Sequence, residues 1–289
     1  MKQSENRSSY FRDVLERFLR HKMAVIGLTI IVVEVLSVLL LPQLLHLNPT
    51  RSDFSAGVYA EPSAKHILGT DDISRDLFAR VIYGGRTSLY VGVVSALIGL
   101  AIGAPLGLIA GYYGKLVGTI IMRTADLFQS FPSMILVLVL VSLIGPSVTS
   151  VVLVIGVLGW AQSARILYSS VLSIRERDYV EAARAIGTRN GTIMRKYILP
   201  NAFAPLLVNF SFSIASAILT ESGLSFLGMG VQPPKASWGN ILYAAQSISV
   251  LSSKWWIWVP TGLLLMLTVL SFNFLGDGIR DALDPKMKL

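Results

Sequence analysis

Six long apolar stretches, at 24–45, 88–112, 126–144, 148–168, 202–227 and 256–275, constrain what this chain can become. Each approaches the ~20 residues that an α-helix, rising about 1.5 Å per residue, needs to cross a hydrocarbon core of about 30 Å. In lipid every backbone N–H and C=O must be paired within the protein, and a helix does this within one segment. The expected fold class is therefore an all-α integral membrane protein with six transmembrane helices. Charged residues make up only 15% of the chain, against about 25% in soluble domains. The third stretch has the least certain start, because Asp126, Gln129 and Pro132 stand in its first turns. With no cysteine in the chain, disulfide and thiol chemistry drop out.

The lysines and arginines orient the bundle. Eighteen of the 25 fall on the side of the N-terminus and seven on the other. The larger group includes Lys2, Arg7 and Arg12 at the start, Arg175 to Lys196 in the long loop, and Arg280, Lys286 and Lys288 in the tail. The expected segments are a cytoplasmic 1–23, a first helix at 24–46, an extracytoplasmic 47–87, a five-helix core at 88–276 and a cytoplasmic tail at 277–289. The net charge of +8 is then mostly topological and does not call for nucleic acid. The first stretch is too long for a signal-peptide core and no small-residue cleavage site follows, so it reads as an uncleaved anchor. Trp255, Trp256 and Trp258 beside Lys254 suit an aromatic belt at the outer interface.

Between the fourth and fifth stretches lies a basic, water-loving loop, 169–201. Val180, Ala183 and Ile186 recur at helical spacing while Arg177, Glu181 and Arg184 point elsewhere. Gly187 permits a turn, a second short helix is expected over 190–198 with Ile193, Met194 and Tyr197 on one side, and Pro200 suits the first turn of the next helix. The loop reads either as two short helices presenting one apolar face or as a solvated basic connection that sets orientation.

The run Glu181-Ala182-Ala183, the step to Gly187, and Leu199-Pro200 resemble the cytoplasmic loop of bacterial ATP-binding-cassette importer permeases. Three further stretches resemble the C-type membrane subunit of the dipeptide, oligopeptide and nickel importers. They are His66 to Asp71 with Arg75-Asp76, Leu224 to Gly228 with Gln232-Pro233-Pro234 and Ser237-Trp238-Gly239, and Asn273 to Asp277 with Arg280-Asp281 and Asp284-Pro285. Ser74 and Tyr197 depart from the family's usual glycine and histidine. The resemblance implies a type I importer permease fold in the bacterial cytoplasmic membrane. It implies that Glu181, Ala182, Ala183, Gly187, Leu199 and Pro200 couple to an ATPase. It further implies a homologous B-type permease, two ATPase subunits and an external solute-binding protein as partners. No cofactor would be bound by this chain, with ATP and Mg2+ held by the ATPase subunits. No Walker A sequence is present: Leu116 follows Gly114-Lys115, and Ile109 stands where the first glycine belongs. The chain is thus expected to be a transport subunit and not an enzyme. Short peptides are the favoured cargo and nickel or a metal chelate the alternative.

Ser95, Gly99, Gly103, Gly107 and Gly111 fall at four-residue intervals and make a stripe on which another helix can approach closely. That helix belongs either to this chain or to the partner permease. Asn209, Glu221 and Ser222 are candidates for a translocation path, or for hydrogen bonds between helices. Glu34 lies midway along the first stretch, where an ionised acid costs roughly 2.5–3.5 kcal/mol, so protein must meet it. His66 with Asp71, Asp72 and Asp76 makes a poor transition-metal site and reads as local capping and pairing. A proton-coupled secondary transporter using Glu34 or Glu221 would predict internal repeats, and none is visible.

Overall fold

The computed structural model describes residues 13–283. Lys2, Arg7 and Arg12, and Asp284, Pro285, Lys286 and Lys288, lie outside them. After a helical stretch at 13–20, α1 runs Lys22–Leu44 and α2 runs Leu77–Tyr113. Then follow α3 (Lys115–Gln129), α4 (Ser133–Ile144), α5 (Val148–Leu158), α6 (Trp160–Ile174) and α7 (Asp178–Ala185). A short turn at Asn190–Thr192 and a π-helical Ile193–Ile198 lead into α8 (Leu199–Phe226). At the other end of the bundle lie α9 (Trp238–Leu242) and α10 (Ile248–Ser253), before α11 (Trp255–Leu283).

Among the described residues, five helices are long and apolar enough to cross a membrane, with α5 and α6 together making one of them. The pair α3 and α4 makes a sixth span if its 85° bend is allowed within one crossing. The break falls between Gln129 and Ser133, where Pro132 precedes α4 and has no N–H to continue a helical ladder. The third apolar stretch is therefore two helices, and the first of them starts at Lys115, well before 126.

Two other boundaries differ from the sequence expectation. α2 begins at Leu77 and not near 88, because the Asp76 carboxylate accepts the Ala79 N–H at 2.7 Å and caps it there. α11 continues to Leu283, so the expected tail from 277 opens as part of the last helix.

α2 is the central helix, packed against α6, α5, α8 and α1. Its small-residue stripe faces this chain's own α5 and α6. A Cβ on Gly99 would lie 3.1 Å from the Gly159 carbonyl carbon, one on Gly103 2.7 Å from Ser163 Cβ, and one on Gly111 2.6 Å from Val171 Cβ. Ser95 Oγ donates to the Val152 carbonyl at 3.1 Å. The stripe is filled within the subunit.

α1 lies along α11. His21 Nε2 sits 3.3 Å from Asp281 Oδ2, a Cβ on Gly27 would lie 2.7 Å from the Ser271 carbonyl oxygen, and Thr268 Oγ1 is 2.9 Å from both Glu34 carboxyl oxygens. Glu34 thus meets protein, as an intramembrane acid must.

Candidate functional site: the docking loop and the central cavity

Four residues of the loop fix it to the bundle. Val180, Ala183, Ile193 and Ile198 are buried in one apolar cluster with Tyr112, Leu167 and Val171, from the ends of α2 and α6. Across the π-helical turn, whose hydrogen bonds span five residues, Ile193 and Ile198 are both buried while Met194 and Tyr197 are half-buried. Polar contacts add bracing. Tyr112 Oη donates to Asn190 Oδ1 at 2.7 Å, the Arg184 guanidinium lies 5.5 Å from the Tyr112 ring centroid, and Arg175 donates to the Gly111 carbonyl at 3.0 Å.

Gly187 closes α7 at φ +78°, a left-handed conformation that glycine adopts without a Cβ penalty. Its N–H donates to the Arg184 carbonyl at 3.0 Å, and that of Thr188 to the Ala183 carbonyl at 3.1 Å. Past this turn Ile186 leaves the buried face and stands 81% exposed, contrary to the spacing argument that grouped it with Val180 and Ala183. The helix ends at Ala185, so the periodicity no longer governs residue 186. Of the expected docking core, Glu181, Ala182 and Gly187 are exposed, whereas Ala183 is buried in this chain's own core. Leu199 is half-buried and Pro200 exposed, in the first turn of α8.

Between α2, α4, α5, α6 and α8 lies a cavity of about 610 Å3, lined among others by Gln129, Ser133, Gln162, Ser163, Asn209 and Phe212. Asn209 Nδ2 is 3.5 Å from Ser163 Oγ and 3.4 Å from Ser213 Oγ. Asn209 is the one proposed path residue that lines this cavity. Glu221 and Ser222 are buried away from it. The Glu221 carboxyl accepts Ser88 Oγ at 2.9 Å and Ser225 Oγ at 2.7 Å. Ser222 packs against Gly239, where a Cβ would lie 2.6 Å from Ser222 Cα. These two residues hold α9 to the bundle; in so apolar a setting a carboxyl requires such hydroxyl donors. The cavity residues on α3, α4 and α6 escaped the sequence reading, since a neutral glutamine or serine carries no signal until the helices meet.

The segment between α1 and α2 holds a small network of charges. His66 Nδ1 lies 2.7 Å from Asp76 Oδ2, and His66 Nε2 lies 3.3 Å from Asp53 Oδ2. Asp71 accepts from Arg75 Nε at 2.6 Å and pairs with Arg80 Nε at 3.1 Å. Hydrogen bonds from Lys65 first, then Ser55 and His66, hold the Asp53 carboxyl well below the usual carboxylate range. Burial first, then Asp72 and Asp71, pushes the Tyr59 phenol up.

The architecture is a multi-pass helical bundle with a braced, exposed loop and a cavity lined by both polar and apolar side chains. The fold is shared with a chain of the MetNI methionine ABC transporter in an inward-facing conformation, at a TM-score of 0.59 and 21% identity over 71% of this chain and 97% of that one. An amino acid ABC transporter with histidines matches at a TM-score of 0.55 and 18% identity, over 70% and 94%. Residues 103–289 match the model of the binding-protein-dependent transport system inner membrane component, and residues 9–62 that of the N-terminal TM domain of oligopeptide transport permease C. The chain belongs to the binding-protein-dependent transport permease family. It is 43% identical over 273 residues to a Brucella suis biovar 1 protein provisionally named a peptide permease, covering 94% of this chain and 90% of that one. It is 39% identical over 280 residues to the dipeptide transport system permease protein DppC of Alkalihalophilus pseudofirmus, covering 97% and 91%. As a member of this family the chain is a transport subunit, and its class works with ATPase, binding-protein and paired-permease partners.

Proposed function

We propose that this chain is the C-type permease of an ATP-driven importer for short peptides in the bacterial cytoplasmic membrane. Supporting the cargo are the peptide-permease relatives and the match of residues 9–62 to an oligopeptide permease domain. A B-type permease would complete the passage, two ATPase subunits holding ATP and Mg2+ would sit beneath it, and a solute-binding protein would deliver peptide from outside.

One observation carries the mechanism. The loop is anchored by Val180, Ala183, Ile193 and Ile198 while Glu181, Ala182, Ile186 and Gly187 are exposed. Force applied to the exposed side passes through this anchor to the ends of α2, α6 and α8, so nucleotide-driven closure would tilt those helices as rigid bodies. The anchored loop acts as a lever.

Purified transporter, assembled with its cognate partners in liposomes, tests the reading. Uptake of labelled Ala-Ala should require ATP and the loaded binding protein, and Ala182→Arg should abolish uptake while the complex still inserts. Gradient-driven uptake by this chain alone would overturn the assignment.

A further inference from the structure

A second cavity adjoins the central one. The second cavity, about 490 Å3, lies between α6, α8 and α11 and shares Gln162, Asn209 and Phe212 with the first. Because both spaces are lined by these three residues, they mark where the two adjoin, called here the waist. Among the described residues, no side chain lining the central cavity is ionisable, and Arg280, near the end of α11, is the single charge lining the second.

The waist has a definite chemistry. Gln162 is exposed and makes no side-chain hydrogen bond among the described residues. One end of the Asn209 amide lies near Ser163 and Ser213, and its other end has no protein partner among the described residues. Phe212 is backed by Gly276, where a Cβ would lie 3.1 Å from the ring. The Gln162 amide and the Asn209 carbonyl oxygen, beside an aromatic wall, offer a donor and acceptors without a formal charge.

We propose that Gln162, Asn209 and Phe212 set the specificity of the passage, as a charge-neutral waist that admits short peptides whatever the sign of their side chains. The inference rests on the peptide reading above and adds a residue-level filter to it. Neutral amides match the one feature all peptides share, the backbone C=O and N–H. A fixed charge here would favour one sign of cargo and repel the other, because a charge a few ångströms from the passing peptide attracts the opposite sign and repels its own. The same chemistry disfavours a bare divalent cation, which takes carboxylate or imidazole ligands.

The chain has no cysteine, so a single Gln162→Cys substitution provides a handle on the folded protein. The complete reconstituted transporter carrying it is treated with a negatively charged or a positively charged methanethiosulfonate reagent, alongside the equally treated parent. Uptake of Ala-Ala, Lys-Lys and Glu-Glu is then measured with saturating binding protein. The negative adduct should lower Glu-Glu uptake relative to Lys-Lys by about tenfold, and the positive adduct should do the reverse. Gln162→Glu and Gln162→Lys should give the same two signs without chemical modification. Structural damage would lower all three peptides together. An unchanged Glu-Glu to Lys-Lys ratio, with Ala-Ala uptake intact, overturns the waist and leaves the peptide reading standing. Failure of the untreated parent to import any peptide overturns that reading, and the waist with it.

Discussion

Trp238 and Ser88, separated by 150 residues of sequence, meet through a hydrogen bond: the Trp238 backbone N–H donates to Ser88 Oγ at 3.2 Å. The same hydroxyl donates to Glu221 Oε2 at 2.9 Å, and Trp238 Nε1 donates to the Val81 carbonyl at 3.1 Å. A Ser237 and Asn240 capping box starts α9 beside this point. Glu221 therefore ties the loop that carries α9 to α2 and α8 and does not line the central cavity.

Removing the relay should loosen that end of the bundle. Ser88→Ala takes a donor from a buried carboxyl, which costs about 1–3 kcal/mol. Thermal unfolding in detergent should show a lower midpoint for Ser88→Ala than for the parent. An unchanged midpoint would mean that Glu221 is held by other means.

The stripe on α2 supports a contrast between two glycines. A Cβ on Gly103 would meet Ser163 Cβ at 2.7 Å and the Ala164 nitrogen at 2.9 Å, whereas one on Gly191 would meet nothing within 4 Å. Gly103→Ala should destabilise by about 1–3 kcal/mol through overpacking. Gly191→Ala, in a short helical turn, should be neutral or stabilising by up to about 1 kcal/mol. Comparable losses at both positions would show that α2 and α6 are not in close register.

The apolar runs made the helical class legible, because a lipid solvent leaves few backbone choices. Hydropathy says little about interruption. The stretch 126–144 reads as one span, yet Pro132 and the polar residues before it divide α3 from α4. The loop's helix and glycine turn were legible from Val180, Ala183 and Gly187, but not the placement of Ile186, which depends on where α7 ends. Glu221 shows a different limit: an acid near a helix end reads the same whether it lines a pathway or clasps a loop. Only the positions of Ser88 and Ser225 distinguish the two.

Adjacent alanines in α7 should separate folding from coupling. Ala183 is 4% exposed within the loop's apolar cluster, so Ala183→Leu should overpack it and lower stability by about 1–3 kcal/mol. Ala182 is exposed, so Ala182→Leu should leave the unfolding midpoint within about 0.5 kcal/mol of the parent. If the loop docks as proposed, Ala182→Leu will still reduce peptide-stimulated ATP hydrolysis. Normal coupling in Ala182→Leu would move the docking surface elsewhere.

Glu34 and Thr268 join the first and last spans. Thr268 Oγ1 is 2.8 Å from the Leu264 carbonyl and 2.9 Å from each Glu34 oxygen, and its single proton serves one bond fully. Thr268→Val should lower stability by about 0.6 kcal/mol, with about 1.7 kcal/mol as the upper end for hydrogen bonds between membrane helices. Glu34→Gln should be milder than Glu34→Lys, since an amide both donates and accepts without charge. Equal stability of the Gln and Lys variants would show that this seam is open to water.

Acid should release the segment between α1 and α2, and the sign follows from Asp53. Its carboxyl is held below the usual range by hydrogen bonds from Lys65, Ser55 and His66. A group depressed in the folded state stabilises above its unfolded value, about 3.9 for aspartate, and loses that contribution as pH falls through the folded value. The Asp53 contribution should therefore be constant from neutral pH down to about pH 5 and fall away below about pH 4. Hydrogen exchange of residues 47–76 at pH 7, 5 and 3, in detergent-solubilised protein, measures it. Parent and Asp53→Asn should differ in protection at pH 7 and 5, and the gap should narrow at pH 3. A gap that widens toward pH 3 would show that the Lys65 and Ser55 contacts do not govern the segment.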